Sequence, residues 1–131
     1  MAFYKELVVI EKQLEEKGFI VNIPISAQTM KKNNDFDVSH FKDVFGYQEK
    51  GGFIHKNFKK ITEGDSILVI NGEKHGIKGY IGTNVLMEIA IAFYFKKKIY
   101  IWNPIDEKAA HMEELLSFGV EFVNRDLKKI Q

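Results

Sequence analysis

The order of apolar and polar residues along the chain predicts helices that alternate with strands. Apolar side chains recur at helical spacing in four segments, which are residues 2–17, 53–61, 84–95 and 107–118. Short apolar runs typical of strands occupy four others, which are residues 19–25, 66–70, 98–102 and 120–123. The remaining signals are a loop at 31–37, a short helix at 38–47 and a chain break at Gly51-Gly52. This alternation is typical of an α/β fold with a parallel sheet.

The predicted architecture is a flavodoxin-like or Rossmann-like three-layer sandwich, with a mostly parallel sheet and helices on both faces. The 131 residues, 45% of them hydrophobic, fit a single domain that spans residues 1–131. Such a domain normally opens on a strand, whereas this chain opens on a helix at Met1, so the first strand is missing from the prediction. An open sheet edge beside residues 19–25 or 66–70 then predicts a homodimer or larger homo-oligomer that hides Phe3 or Tyr4.

Residues 65–104 are the segment around which the rest is organised, and they predict a strand, a glycine-rich loop, a helix and a second strand. The loop contains four glycines, namely Gly72, Gly76, Gly79 and Gly82. The helix at 84–95 has only three polar side chains, which are Asn84, Glu88 and Tyr94. A helix that is apolar on every side is expected to be buried. Glu88 is therefore a carboxylate in an apolar setting.

Two interpretations of Glu88 stay open at this point. Its helical neighbours include Val85, Ile91 and Ala92, so it does not lie on a polar face. In the first interpretation the carboxylate reaches solvent or pairs with a lysine. In the second it points into the crevice at the carboxyl ends of the strands, where open α/β sheets bind ligands. The second is preferred, because an unpaired carboxylate in apolar surroundings has a raised pKa and needs a reason to be there.

Composition excludes several classes of function. A net charge of +1 gives no electrostatic case for binding a nucleic acid polymer. The absence of cysteine excludes disulfides and cysteine-ligated metals, and it fits a cytoplasmic protein. No apolar run is long enough for a membrane span, and the amino end lacks the pattern of a signal peptide. We therefore expect no metal, no cofactor and no membrane partner.

The central segment resembles the nucleoside 2-deoxyribosyltransferase-like superfamily, particularly its small members. The resemblance is carried by Asp65 before the strand, Asn71 after it, the Gly-Thr-Asn-Val-Leu-Met-Glu segment at residues 82–88, and the Lys-Ile-Tyr strand at 98–100. It extends along the whole chain, but only these central forty or so residues carry specific motifs. By this resemblance, Glu88 matches the glutamate that attacks the anomeric carbon of a nucleoside and holds the sugar as a covalent ester.

The resemblance implies an enzyme that cleaves an N-glycosidic bond or transfers a deoxyribosyl group on a nucleoside or nucleotide. It also departs from the family pattern at the residues that handle the base. The family's aspartate six residues before the nucleophile is Gly82 here, and its acidic residue facing the base is Asn57. His55 or His75 could supply the missing acid, because histidine titrates near neutrality. The alternative is a non-catalytic nucleotide-binding domain, or an oligomeric interaction domain, of the same fold.

The glycine-rich loop supplies the predicted substrate-binding residues, which are Asn71, His75, Gly82, Thr83 and Asn84, with Asp65 at the start of the strand. Unpaired N–H groups at a helix start attract anions, so a 5′-phosphate or the sugar hydroxyls are expected at residues 82–84. Lys74 and Lys78 could add charge-assisted hydrogen bonds. The competing interpretations are that Asn84 only caps the helix and that Asp65 only shapes a turn. No Gly-Lys-Ser/Thr follows the loop, so it is not a P-loop.

Overall fold

The computed structural model describes residues 2–36 and 46–131. It divides the chain into two compact units, Met1–Lys60 and Ile61–Gln131. The first unit contains α1 (Ala2–Glu16), α2 (Ile25–Asn33) and most of α3 (Tyr47–Glu63). The predicted helix at 38–47 lies almost entirely outside the described residues.

The helices α1 and α2 contact each other through apolar side chains and one ion pair. Ile10 and Leu14 of α1 are buried, as are Ala27 and Met30 of α2. Lys31 Nζ donates to Glu11 Oε1 at 2.7 Å, and the Glu11 side chain is itself buried. This hydrogen bond and the charge of Glu11 raise the pKa of the Lys31 ammonium group. Gly18, in the left-handed region, follows the end of α1 as predicted.

The predicted strand at residues 19–25 is wrong. Residues 19–24 form no strand, and α2 begins at Ile25, directly after Pro24. The backbone carbonyls here are used by the helices: Pro24 accepts from the Gln28 N–H at 2.9 Å, and Ile23 accepts from Lys60 Nζ at 3.0 Å. Ile20 is 96% exposed, so the apolar run does not enter a sheet at that position. An apolar run that ends in proline can equally lead into a helix.

The predicted break at Gly51-Gly52 is also wrong, because both glycines lie inside α3. Each glycine costs a helix about 1 kcal/mol relative to alanine. The helix nevertheless continues, with Phe53, Ile54 and Phe58 half-buried along it. Packing of these side chains offsets the low helix propensity of the two glycines.

The second unit is built on a parallel three-stranded sheet, as predicted. It comprises β1 (Ser66–Val69), β2 (Lys98–Ile101) and β3 (Glu121–Phe122), in the order β1-β2-β3. Helix α4 (Thr83–Tyr94) connects β1 to β2, and α5 (Met112–Ser117) connects β2 to β3. The pairing is in register, with Val69 opposite Ile101 and Ile101 opposite Phe122. A short 3₁₀ helix, Leu127–Lys129, precedes the carboxyl end.

The two crossover helices lie on one face of this sheet. Val69, Ile99 and Ile101 form a buried cluster with side chains of both helices, the latter being Ile89, Ala92 and Leu115. Two right-handed crossovers that advance in the same direction across a sheet place their helices on the same face. On the other face Tyr100 and Val123 are buried, and Tyr100 Oη accepts from the Gln131 N–H at 3.4 Å. The fold is α/β; the three-layer, flavodoxin-like or Rossmann-like form stays a prediction.

Helix α4 is not buried on every side, which corrects the expectation from its composition. Ile89 and Ala92 are buried, but Tyr94 is 77% exposed and Met87, Phe93 and Phe95 are also exposed. The reason is that three short strands and the six-residue α5 cover only one side of it.

Helix α5 is shorter than the predicted 107–118. It begins at Met112, because His111 adopts a left-handed conformation at φ 72° and cannot continue the helix backwards. Gly119 follows its carboxyl end at φ 69°, as predicted.

Among the described residues, no helix combines the length and the apolar character that a membrane span requires.

Candidate functional site at the carboxyl edge of the sheet

An asparagine stands two residues after the end of each strand. Asn71 follows β1, Asn103 follows β2 and Asn124 follows β3. Because the strands are parallel and in register, the three residues lie at the same level along the carboxyl edge of the sheet. This edge is where open α/β sheets bind their ligands.

Asn71 and Asn103 hold each other in a reciprocal arrangement. Asn71 Nδ2 donates to the Asn103 carbonyl at 2.9 Å, and Asn71 Oδ1 accepts from the Asn103 N–H at 2.8 Å. Asn103 Nδ2 in turn donates to the Asn71 carbonyl. The second amide hydrogen of Asn71 goes to the Gly79 carbonyl at 3.1 Å. Asn71 is buried, so this network braces the loop after β1 against the loop after β2.

Gly79 allows that close approach between the two loops. Its φ is +70°, and a Cβ atom placed there would lie 2.2 Å from the Pro104 carbonyl oxygen and 3.0 Å from Ile105 Cα. A backbone hydrogen bond also connects the two loops, since the Asp106 N–H donates to the Lys78 carbonyl at 3.0 Å. Only glycine fits this position without movement of the backbone.

The tip of the glycine-rich loop is a small turn between Lys74 and Ile77, which exchange backbone hydrogen bonds at 3.0 and 3.1 Å. His75, at φ 55°, is exposed, and its ring meets the edge of Tyr80 at 5.3 Å between centroids. Lys74 Nζ lies 5.9 Å from the centre of the same ring. Lys74 and His75 therefore both lie beside the Tyr80 ring.

The start of α4 is capped by backbone alone. Gly82 is the N-cap residue, its carbonyl accepts from the Leu86 N–H at 2.9 Å, and no side chain caps the helix. Asn84 is inside the first turn and does not act as the cap, so that interpretation of it is wrong. Thr83 and Asn84 are both exposed. Their hydroxyl and amide are thus open to solvent beside the amino end of the helix dipole.

Glu88 follows about 1.4 turns further on, about 7.5 Å along the helix axis from Thr83 at 1.5 Å per residue. Its side chain is half-buried, and this burial raises the pKa of the carboxyl group. Across residues 2–36 and 46–131, no hydrogen bond or ion pair compensates it. The interpretation in which Glu88 pairs with a lysine thus has no support among those residues.

Asp65 does not lie at the carboxyl edge of the sheet. Asp65 is exposed and precedes β1, so it is at the amino end of the strand while Asn71 is at the carboxyl end. Six residues of extended chain separate them by roughly 20 Å. The structure therefore does not bring Asp65 together with residues 82–84. His55 and Asn57 belong to α3 in the first unit. Within the described residues, no group of three or more potential ligands could hold a metal ion.

Two side chains at this edge, Asn103 and Arg125, are not among the site residues predicted from the sequence. Arg125 Nη1 donates to Asn103 Oδ1 at 3.2 Å, and its guanidinium lies 5.5 Å from the centre of the buried Trp102 ring. The signal that could have found Asn103 is a repeat: the end of each strand reads as two apolar residues followed by asparagine, as Val-Ile-Asn, Ile-Trp-Asn or Phe-Val-Asn. Three parallel strands with the same ending predict a polar row along one edge.

The fold and this edge define a small α/β protein with a parallel sheet. Comparison with known proteins adds no closer identification, since no protein-family model, curated protein or solved structure matches the chain.

Proposed function

We propose that the protein cleaves the N-glycosidic bond of a nucleoside or nucleotide, with the Glu88 carboxylate attacking the anomeric carbon. The sugar then passes to water or to a second base. The observation that carries this proposal is the half-buried carboxylate on a mainly apolar helix that begins at the carboxyl edge of a parallel sheet.

The chemistry accounts for a carboxylate in this setting. As the bond between sugar and base breaks, positive charge develops on the sugar ring, and a carboxylate that has lost water attracts that charge more strongly. The new bond is an ester between Glu88 and the anomeric carbon, while the departing base takes the bonding electrons and a proton. Water or another base then attacks the same carbon and frees Glu88.

The remaining predicted residues have roles that the geometry supports unequally. Thr83 and Asn84 are exposed beside the helix start, which suits contact with sugar hydroxyls or a 5′-phosphate. His75 is the candidate for protonating the base, because it is exposed on the adjacent loop. Asn71 is committed to its hydrogen bonds with Asn103 and Gly79, so its part in binding is to hold the loop.

The test is a screen of nucleosides and nucleotides for release of free base, followed by a slow 2-fluoro sugar analogue. We expect the analogue to leave a sugar adduct on the peptide that contains Glu88, as detected by mass spectrometry. Glu88→Ala abolishes turnover, whereas Glu107→Gln, which alters an exposed carboxylate of the same unit, retains it. Full turnover by Glu88→Ala contradicts the proposal.

The second candidate is a nucleotide-binding domain without catalysis. It is favoured by Asp65, which lies far from the helix start, and by Gly82, which stands where the family has an aspartate. Calorimetric titration of a nucleoside and its 5′-monophosphate distinguishes the two functions, because this candidate gives binding without release of base. Tighter binding of the monophosphate at low salt supports a phosphate at residues 82–84; equal binding leaves only the sugar contacts.

A further inference from the structure

Helices α4 and α5 expose several large apolar side chains. We define the α4–α5 face as the exposed apolar side chains of these two helices, which are Met87, Phe93, Tyr94 and Leu116. Helix α4 contacts the residue that follows α5, since the rings of Phe93 and Phe118 are 5.0 Å apart between centroids. Tyr94 and Leu116 are 77% and 61% exposed. Exposed apolar surface gathered on adjacent elements marks an interaction site more often than scattered single residues do.

This face is separate from the candidate active site. At 3.6 residues per turn, Tyr94 and Glu88 point in directions roughly 120° apart around the axis of α4. Coverage of Tyr94 by a partner therefore leaves the side of the helix that carries Glu88 free.

Charged residues lie at the end of α4 and at the start of α5. Helices α4 and α5 both run from the carboxyl edge of the sheet to its amino edge, because each connects the end of one parallel strand to the start of the next. Lys96 and Lys97 follow α4, so they lie at the amino edge. Glu113 and Glu114 are in the first turn of α5, so they lie at the carboxyl edge. The end of α4 is therefore basic, and the start of α5 is acidic.

We infer that the α4–α5 face binds the same face of a second copy of this chain, with the helices of the two copies antiparallel. An antiparallel arrangement brings the lysines of one copy to the acidic end of the other. A two-fold axis repeats that contact at both ends of the interface. A parallel arrangement would instead bring like charges together at each end, which is unfavourable. The apolar centre supplies the burial and the charges fix the orientation.

Sedimentation velocity over about a hundredfold range of concentration tests the inference, because association follows mass action. We expect a dimer that dissociates on dilution. Tyr94→Glu places an uncompensated charge in the apolar centre and weakens dimerisation by roughly tenfold to a hundredfold. The matched control is Ile20→Glu, which adds the same charge at a residue that is 96% exposed and lies in the first unit. This control leaves dimerisation unchanged.

A charge exchange tests the orientation. The double variant Lys96→Glu with Lys97→Glu repels itself, and so does Glu113→Lys with Glu114→Lys, so each is expected to dimerise more weakly than the wild type. Mixed together, the two variants restore a dimer, because every contact between them is again between opposite charges. Circular dichroism confirms that each variant is folded. A monomer at all concentrations, a dimer unaffected by Tyr94→Glu, or a mixture that does not associate overturns the inference.

Discussion

Glu88 is a carboxylate at a half-buried position of α4, where an apolar side chain would serve the fold better. The neighbouring positions of α4 are apolar, and burial of the carboxylate raises its pKa. Ionising this carboxyl group therefore costs more in the folded protein than it does in water. A residue that costs stability when ionised, without a compensating partner among the described residues, is typical of a functional position.

Glu88→Gln is expected to raise the melting temperature at neutral pH, because glutamine keeps the shape of the side chain but carries no charge. The folded-state pKa is above the unfolded value, so the stability of the wild type is highest below the unfolded pKa and falls as pH rises through the folded one. The gain from Glu88→Gln therefore grows with pH across this window and disappears in acid. Thermal unfolding of both proteins over a pH series measures it.

Glu107→Gln is the control for this series, since Glu107 is an exposed carboxylate in the same unit. It is expected to show little change at any pH. If Glu88→Gln raises the melting temperature equally at acid and neutral pH, the gain does not come from removing the ionised carboxylate.

At the scale of elements, the loop after β1 and the loop after β2 behave as one structure. The Asn71–Asn103 network and the approach of Gly79 to Pro104 connect them. The loop that leads to the start of α4 is thereby positioned from the neighbouring strand. The position of the start of α4 is thus fixed by both strands and by the loops that follow them.

Gly79→Ala is expected to destabilise the protein by about 2 to 5 kcal/mol, from left-handed strain and from overpacking against Pro104. Gly76→Ala is the matched control. Gly76 has nearly the same conformation, at φ +73°, but a Cβ atom there meets nothing within 4 Å. It should therefore cost only the strain, roughly 1 to 2 kcal/mol. Urea unfolding of both variants measures the difference, and equal losses would show that the close approach is unimportant.

The elements that could be predicted from sequence are those whose signal is local. The strands β1 and β2 and the helix α4 were located within one or two residues, because apolar runs, periodicity and the loop glycines mark them. The prediction of a strand at 19–25 is wrong because the same apolar run leads through Pro24 into a helix. The predicted start of α5 is wrong because nothing in the sequence marks the left-handed conformation of His111.

At the scale of the whole molecule, the chain separates into a helical unit and a second unit. The second unit carries the sheet and the candidate site at its carboxyl edge, from Asn71 to Arg125. The contiguous part of the candidate site, from Asn71 to Glu88, could be proposed from sequence. The contributions of Asn103 and Arg125 could not, because they depend on the register between strands that are distant in the chain. The repeated apolar-apolar-asparagine ending is a signal for Asn103 but not for Arg125.

The buried amide of Asn71 also has a consequence for the chemical ageing of the protein. Asn71 precedes Gly72, and an asparagine followed by glycine is the sequence most prone to deamidation, through attack of the following backbone nitrogen on the side-chain carbonyl carbon. Here that side chain is fixed by hydrogen bonds to Asn103 and Gly79. We expect the folded protein to resist deamidation at this position and the urea-unfolded chain to deamidate rapidly, as peptide mass spectrometry would measure. Accumulated deamidation at Asn71 would then record how often the two loops separate during storage.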